Sequence, residues 1–484
     1  MKIVHHPAFL ITLLLTVFFM KGVFLATLFP IFTGQDEARH YNTLQYLNQP
    51  EIPTEQTTHR LHIQNKEDFS DYNFSEEIVN TGKTAGIDDL RHGLFDTQRF
   101  VPESFDGTNE SDITQQTWKP YNFTTPADVA GTKSLYHKTA SIIESALSQQ
   151  DILTRFYAIR IFSVLLGTIA VFLTFLIARA LQFDHFISTL LAALVAFQPK
   201  FSMYLTNINY DALLIPTFFL FTWGGVVSIQ KGLNWKNFSI MFLAVVVGLL
   251  TKGTAIVLLM AFLGIILYHS YRFIRARKQF KITFLRSVFA ALFIIGIVAL
   301  SSGRYHYTTL IPIGTSFSDT ATSLGKYLDK SFTFGRFGLS SRTYWGSLGW
   351  NNDFLARHFV DMLWPLEEIA IIGIILFLFT KKKPDFLPGK KPVIFLIAMI
   401  IALQLGIRVA DWNVFTHTGS LDLGTPGRYF LPNLSTHLIL IFLGLGTLLG
   451  TRERFKNILL SGVIFMCFFS MFLTLDIILP RFYL

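Results

Sequence analysis

Disulfide chemistry is excluded first. The 484 residues hold a single cysteine, Cys467, inside an apolar run, so no pair can close within the chain. No Cys/His cluster has the spacing of a zinc site either. Charge is scarce: 15% of the residues are Asp, Glu, Lys or Arg, where a soluble domain carries about 25%. The formal charge of +9 is not distributed as a nucleic-acid surface requires. More than half of the acidic residues fall between Thr33 and Gln150, and the basic clusters sit between hydrophobic runs. That pattern belongs to membrane orientation rather than to nucleic-acid binding.

What replaces charge is apolar residue. Half the chain, 51%, is hydrophobic, and the mean hydropathy is +0.44. About 20 apolar residues span a bilayer, and the runs are too long and too numerous for soluble cores. The expected fold is therefore an all-α polytopic membrane protein of about eleven transmembrane helices, with a large first extracytoplasmic loop and a smaller second one. The expected spans are Pro7–Pro30, Phe156–Leu181, Phe186–Tyr204, Ala212–Ile229, Phe238–Leu250, Thr254–Tyr271, Phe284–Leu300, Met362–Phe379, Val393–Val409, Tyr429–Leu449 and Ile458–Leu479. They divide the chain into a first helix (1–30), a polar loop (31–154), a helical bundle (155–300), a second polar loop (301–361) and a second bundle (362–484). The first run is too long for a signal-peptide core and no small-residue cleavage pattern follows it, so it reads as a retained anchor. Leu135–Leu153 spaces Ile142, Ile143, Ala146 and Leu147 as an amphipathic helix lying against the membrane.

Lys and Arg set the orientation. Tyr271–Lys281, Lys381–Lys391 and Arg452–Lys456 are basic, and an alternating chain puts all three on the side of the N-terminus, hence in the cytoplasm. Both polar loops then face outward, in a cell (inner) membrane.

Five polar constellations lie at the outer ends of the spans. Gly34-Gln35-Asp36-Glu37-Ala38-Arg39-His40-Tyr41 follows the first span; adjacent carboxylates beside Arg and His suit a general base tuned by charge and desolvation, and equally a helix cap. Thr251-Lys252-Gly253 interrupts a stretch too long for one span and short for two, which puts an ammonium inside the bundle in want of an anion such as a lipid phosphate. Thr425–Pro432 contains Gly427, Arg428 and Tyr429, and guanidinium groups grip phosphate oxygens bidentately. Asn207–Ala212 offers Asn209 and Asp211 for sugar hydroxyls or a cation, or else an Asx cap. Thr343–Asp353 supplies Trp345 and Trp350, which stack on sugar rings or serve as interface belts.

With these stretches in hand, the chain resembles the GT-C class of membrane glycosyltransferases, and within it a group of bacterial polytopic proteins of that architecture. Gln35-Asp36-Glu37 with His40, Arg160-Ile161-Phe162-Ser163, Asn207–Leu213, Leu250-Thr251-Lys252-Gly253, the Trp345-Gly346 and Gly349-Trp350 pair, and Gly427–Pro432 carry the likeness from end to end. Relatives usually have a His-Pro-Pro-like element before the second span, where this chain reads Ser134-Leu135-Tyr136-His137-Lys138. The resemblance implies an inverting transfer of a sugar from a polyprenyl-phosphate donor to an extracytoplasmic glycan acceptor. Asp36 would be the base, assisted by Glu37, and Lys252 and Arg428 would neutralise the departing phosphate. Arg39, His40, Asn209, Asp211, Trp350 and Tyr429 would contact substrate. Asp36, Glu37 and Asp211 are the residues that would hold a divalent cation, Mg or Mn, if one is used. A lipid-linked sugar flippase or exporter, and a polysaccharide polymerase, are the rival functions; one interrupted helix pair without a counterpart in the second half speaks against a transporter.

Overall fold

The computed structural model describes residues 7–49, 73–87, 113–114, 134–275, 317–346, 360–381, 383–419, 421 and 426–482. Among the described residues the chain is helical throughout and contains no strand. Helix α1 is Pro7–Leu28, α2 Glu37–Leu47, α3 Glu76–Thr84, α4 Leu135–Ala146, α5 Ile152–Ala180, α6 His185–Phe197 and α7 Pro199–Tyr204. They are followed by α8 Asp211–Lys231, α9 Trp235–Thr251, α10 Ile256–Arg275, α11 Phe317–Ser331, α12 Phe334–Trp345, α13 Leu363–Phe379, α14 Lys390–Thr418, α15 Leu434–Leu449 and α16 Arg452–Phe472. Short 3₁₀ segments, Gly253–Ala255 and Gly427–Asn433, precede α10 and α15.

Seven described helices are long and apolar enough to cross a membrane, with α6 and α9 as shorter apolar helices. Ten of the expected spans thus coincide with helices; the eleventh, Phe284–Leu300, lies outside the described residues. Large apolar side chains point outward along the spans, for example Leu13, Met20, Phe24, Leu267, Ile371 and Phe468. In a bilayer these face lipid, so the exposed apolar surface costs nothing.

Helix starts are written locally. The Asp151 carboxylate accepts from the Thr154 amide at 2.9 Å to begin α5, and Asp184 caps α6 through the Ile187 amide at 2.9 Å. The break that the length of Lys236–Arg272 foretells falls at Lys252, whose extended backbone (φ −152°) separates α9 from the turn that opens α10.

The segment before α5 differs from expectation. Helix α4 does present Ile142 to the outside, but the face it buries is polar: Tyr136, His137, Ser141 and Glu144. Arg155 at the start of α5 bridges Glu144 and Glu77, Tyr41 donates to Glu144 at 3.0 Å, and Gln45 donates to Glu77 at 2.7 Å. This buried network ties α2, α3 and α4 to α5. It anchors the helix whose first residues form the site.

The two ends of the bundle differ in charge. Arg452 pairs with Asp184, so the α5–α6 and α15–α16 turns share one end, which also carries Arg179 and Lys456. The polar constellations gather at the other.

Candidate active site

The site begins where α1 stops. The last carbonyls of a helix lack intrahelical partners, and Arg160, two turns into α5, reaches across to supply them. Its guanidinium donates to the carbonyls of Ala26 (2.7 Å) and Pro30 (3.0 Å) and lies over the Phe156 ring at 4.6 Å. The same group holds Glu37 in two hydrogen bonds, Nε to Oε1 at 2.9 Å and Nη2 to Oε2 at 2.7 Å. Glu37 also accepts from the amides of Gly34 and Ile208, both at 3.0 Å. It is fully buried. Glu37, expected to assist the base, has both oxygens engaged by a buried arginine and two amides, so this group holds the end of α1, the start of α2 and the Asn207 turn together.

That clamp sets Asp36. The residue precedes α2 in the left-handed region (φ 56°, ψ 13°) and its side chain makes no capping bond. A non-glycine residue there costs on the order of 1 kcal/mol, and the effect is to turn the carboxylate away from the helix amides. It is one-third exposed, and Oδ2 lies 3.5 Å from Nη2 of Arg428.

Arg428 comes from the 3₁₀ segment before α15. Gly427 brings it there: a Cβ at that position would lie 2.1 Å from the Tyr344 amide nitrogen and 2.3 Å from the Ser340 carbonyl oxygen. Only glycine lets this backbone rest directly on α12. Nη2 of Arg428 also lies 3.4 Å from the Tyr429 hydroxyl, but Nε and Nη1 are buried without any hydrogen-bond partner. Orphaned buried donors of a charged group are costly and call for an explanation. The Oδ1 of Asn207, Oε1 of Gln35 and Nε of Arg39, close by in sequence or fold, are orphaned too.

Lys252 meets the same place from the α9–α10 break. Its ammonium bonds Asp211 at 2.8 and 3.0 Å and lies over the rings of Tyr210 (4.5 Å) and Tyr429 (4.9 Å). The Arg428 guanidinium lies 5.1 Å from that same Tyr429 ring. Since each cation is about 5 Å from one ring centre, the two are no more than about 10 Å apart. A single phosphate fits such a gap. Asp211, which also accepts from the Tyr204 hydroxyl at 2.8 Å, is committed to Lys252.

Asn209, expected to touch substrate, is engaged with the backbone around it. Its amide nitrogen donates to the Tyr204 carbonyl at 3.0 Å and its oxygen accepts from the Ala212 amide at 3.1 Å. It is an Asx cap of α8. Its neighbour Asn207, with the orphaned oxygen, is the freer of the two.

His40 is joined by a residue that the altered His-Pro-Pro-like stretch left in question. His40 Nδ1 and His137 Nε2 lie 2.9 Å apart, and His40 stands edge-on to Tyr210 at 4.8 Å. Burial, then the charges of Arg39, Lys252 and Arg428, hold the His40 pKa well below its ordinary value of 6.5. Lys200 on α7 is a further buried amine, 5.6 Å from the centre of the Tyr204 ring, which no motif had singled out. Trp350 lies outside the described residues. Trp345 is interior and donates to Glu367 at 3.0 Å.

Basic groups outnumber acidic ones around Asp36, so the site favours an anion. As donors for a divalent cation the carboxylates do not fit together: Glu37 and Asp211 are each taken by a basic partner, and no cluster of three metal-ligating side chains occurs among the described residues.

Comparison with known families gives a match over part of the chain. The sequence model of the dolichyl-phosphate-mannose-protein mannosyltransferase family, a family of the GT-C type, matches residues 152–299. No curated protein matches the chain. The matched segment carries Arg160, Asn207, Asp211 and Lys252 and leaves Asp36 and Arg428 outside it. Residues 152–299 are thus similar to a family of membrane glycosyltransferases, and the helical spans make the chain a multi-pass membrane protein.

Proposed function

We propose that this chain transfers a sugar from a polyprenyl-phosphate carrier to a hydroxyl of an extracytoplasmic glycan acceptor, with inversion at the anomeric carbon. The observation that carries the reading is Arg428: a buried guanidinium with Nε and Nη1 unpartnered, facing the carboxylate of Asp36 across 3.5 Å. An unfilled fork of that kind is a phosphate receptor. The matched family uses a dolichyl-phosphate sugar by name, which supports the same donor class.

In the reaction the acceptor oxygen attacks the anomeric carbon while the carbon–oxygen bond to phosphate breaks. The acceptor proton passes to the carboxylate of Asp36, and the electron pair leaves on the phosphate. Arg428 and Lys252 neutralise that charge as it develops, in a site with little water, where such stabilisation is worth most. Glu37 and Asp211 act through others: Glu37 with Arg160 fixes the backbone of Asp36, and Asp211 aims Lys252. Tyr429, between the two cations, lies along the leaving group. Arg39 and His40 border the donor sugar.

The basic end of the bundle goes to the cytoplasm, which puts the Asp36 end outside and the N-terminus inside, in the cell membrane. Exporting a lipid-linked sugar would need the cations but not a carboxylate turned free of its helix. Deleting the gene should therefore remove one sugar from the envelope glycans, and wild-type protein should restore it. Asp36→Asn, made to the same level in the membrane, should not; restoration by that variant would overturn the assignment.

A further inference from the structure

A second cavity, of about 220 Å³, lies behind the 3₁₀ segment that carries Arg428. Arg428 and Tyr429 face Asp36 and Lys252, whereas Phe430 and Asn433 of the same segment line this other space, with Tyr344 and His437 beside them and Glu367 and Gln404 opposite. One wall of seven residues, Gly427–Asn433, separates two sites of different chemistry.

The lining is built for a polar guest. Asn433 is buried, its nitrogen donates to the Met399 carbonyl at 2.7 Å, and its oxygen has no partner. Glu367 accepts from the Trp345 indole at 3.0 Å and lies 3.8 Å from Nε2 of His437, too far for a hydrogen bond. His437 in turn pairs through Nδ1 with the Tyr344 hydroxyl at 2.9 Å. An acceptor oxygen, a carboxylate and an imidazole with spare capacity thus converge on one space. The carboxylate disfavours an anion, and Arg408 at the rim is already donating to Ser331 at 2.7 Å. A neutral guest with several hydroxyls satisfies this set, as a carboxylate and an amide oxygen do for vicinal hydroxyls of a sugar.

The mouth opens toward lipid. Gln404 is exposed between Ile401 and Leu405, which are 52% and 60% exposed on a membrane-crossing helix. Gln404 lies 14 residues beyond Lys390, about 21 Å along α14 at 1.5 Å per residue, so below the far edge of a core roughly 30 Å thick. A lone amide on a lipid-facing surface is costly unless a polar group meets it.

We propose that this cavity binds the neutral, polyhydroxylated head of a membrane-embedded amphiphile, entering sideways between α13 and α14. The wall of Gly427–Asn433 keeps that head away from Asp36, so the amphiphile is held beside the transfer site rather than in it.

Octyl β-glucoside is the probe, titrated into the purified full-length protein held in a polyoxyethylene detergent, with binding followed by tryptophan fluorescence. Saturable binding is expected, weakened at least tenfold by Glu367→Gln and by Gln404→Leu and unchanged by Arg428→Lys. Glu367→Gln keeps the shape and the Trp345 contact, and Gln404→Leu only makes an exposed position more lipid-like, so both variants should fold. Equal affinity in wild type and both variants, or the same saturation with tetraethylene glycol octyl ether in place of the glucoside, overturns the proposal. No sugar donor enters this measurement, so its failure and that of the transfer reading are separable: an active Asp36→Asn leaves the cavity standing, and an empty cavity leaves the base standing.

Discussion

At the scale of single residues, the two adjacent acids at the end of α1 have opposite surroundings, and their variants should behave oppositely. Glu37→Gln removes a charge that a buried arginine needs, and breaking one side of a buried pair is strongly destabilising, about 3–5 kcal/mol. A lowered unfolding temperature is expected, with a smaller loss of turnover per folded molecule than Asp36→Asn shows; a fully stable but inactive Glu37→Gln would return the residue to the chemistry. His40 gives a pH test. Its folded pKa lies below 6.5 because burial and three nearby cations oppose its protonation. The unfolded chain takes up that proton near pH 6.5 and the folded chain only at lower pH, so stability is whole above pH 6.5 and declines as pH falls below it. One such proton contributes a slope of at most about 1.4 kcal/mol per pH unit. Thermal unfolding between pH 7 and 5 should be steeper for wild type than for His40→Gln; identical slopes would contradict this. Asp36, Lys252 and Arg428 could be picked out from sequence because a charge at a helix junction at membrane depth needs a reason. The engagement of Glu37 could not: Arg160 lies 123 positions away in the chain, and nothing local distinguishes a clamped acid from a free one.

At the scale of elements, the contact between α12 and the segment carrying Arg428 rests on one glycine. Gly427→Ala would push Cβ to 2.1 Å from a backbone nitrogen, which no side-chain movement relieves. Gly444→Ala is equally tight, 2.1 Å from the Ala370 carbonyl oxygen, but it sits where α15 crosses α13 away from Arg428. Both should lose stability, roughly 1–3 kcal/mol as overpacking does. Only Gly427→Ala should also lose turnover per folded molecule, because it displaces Arg428; equal specific activities would show that the segment's position does not matter. The break at Lys252 was readable from length alone, since a stretch too long for one span must be interrupted. The inward polar face of α4 was not. Its apolar positions mark the side that meets lipid, while His137 and Glu144 are buried only because Tyr41, His40 and Arg155 are there to receive them.

At the scale of the whole molecule, the separation of polar site and basic turns to opposite ends follows from alternating spans, which hydropathy makes legible. With Cys467 replaced, a cysteine at Gln149, exposed after α4, should react with a membrane-impermeant thiol reagent in intact cells, and one at Glu453, 76% exposed at the other end, should be protected. The reverse pattern would invert the topology and remove the extracytoplasmic site.

The transfer mechanism meets its most direct test in one purified preparation, where donor affinity and turnover are measured together for wild type, Asp36→Asn and Arg428→Lys. Asp36→Asn should bind the polyprenyl-phosphate sugar nearly as wild type does while turnover falls by about 10²–10⁴, the usual share of a general base. Arg428→Lys should weaken binding and turnover together, since an ammonium cannot reproduce the fork. Wild-type turnover in Asp36→Asn would contradict Asp36 as the base, and no turnover in the wild type, alongside impaired donor binding in Arg428→Lys, would contradict transfer and leave a protein that holds the lipid phosphate without breaking its bond.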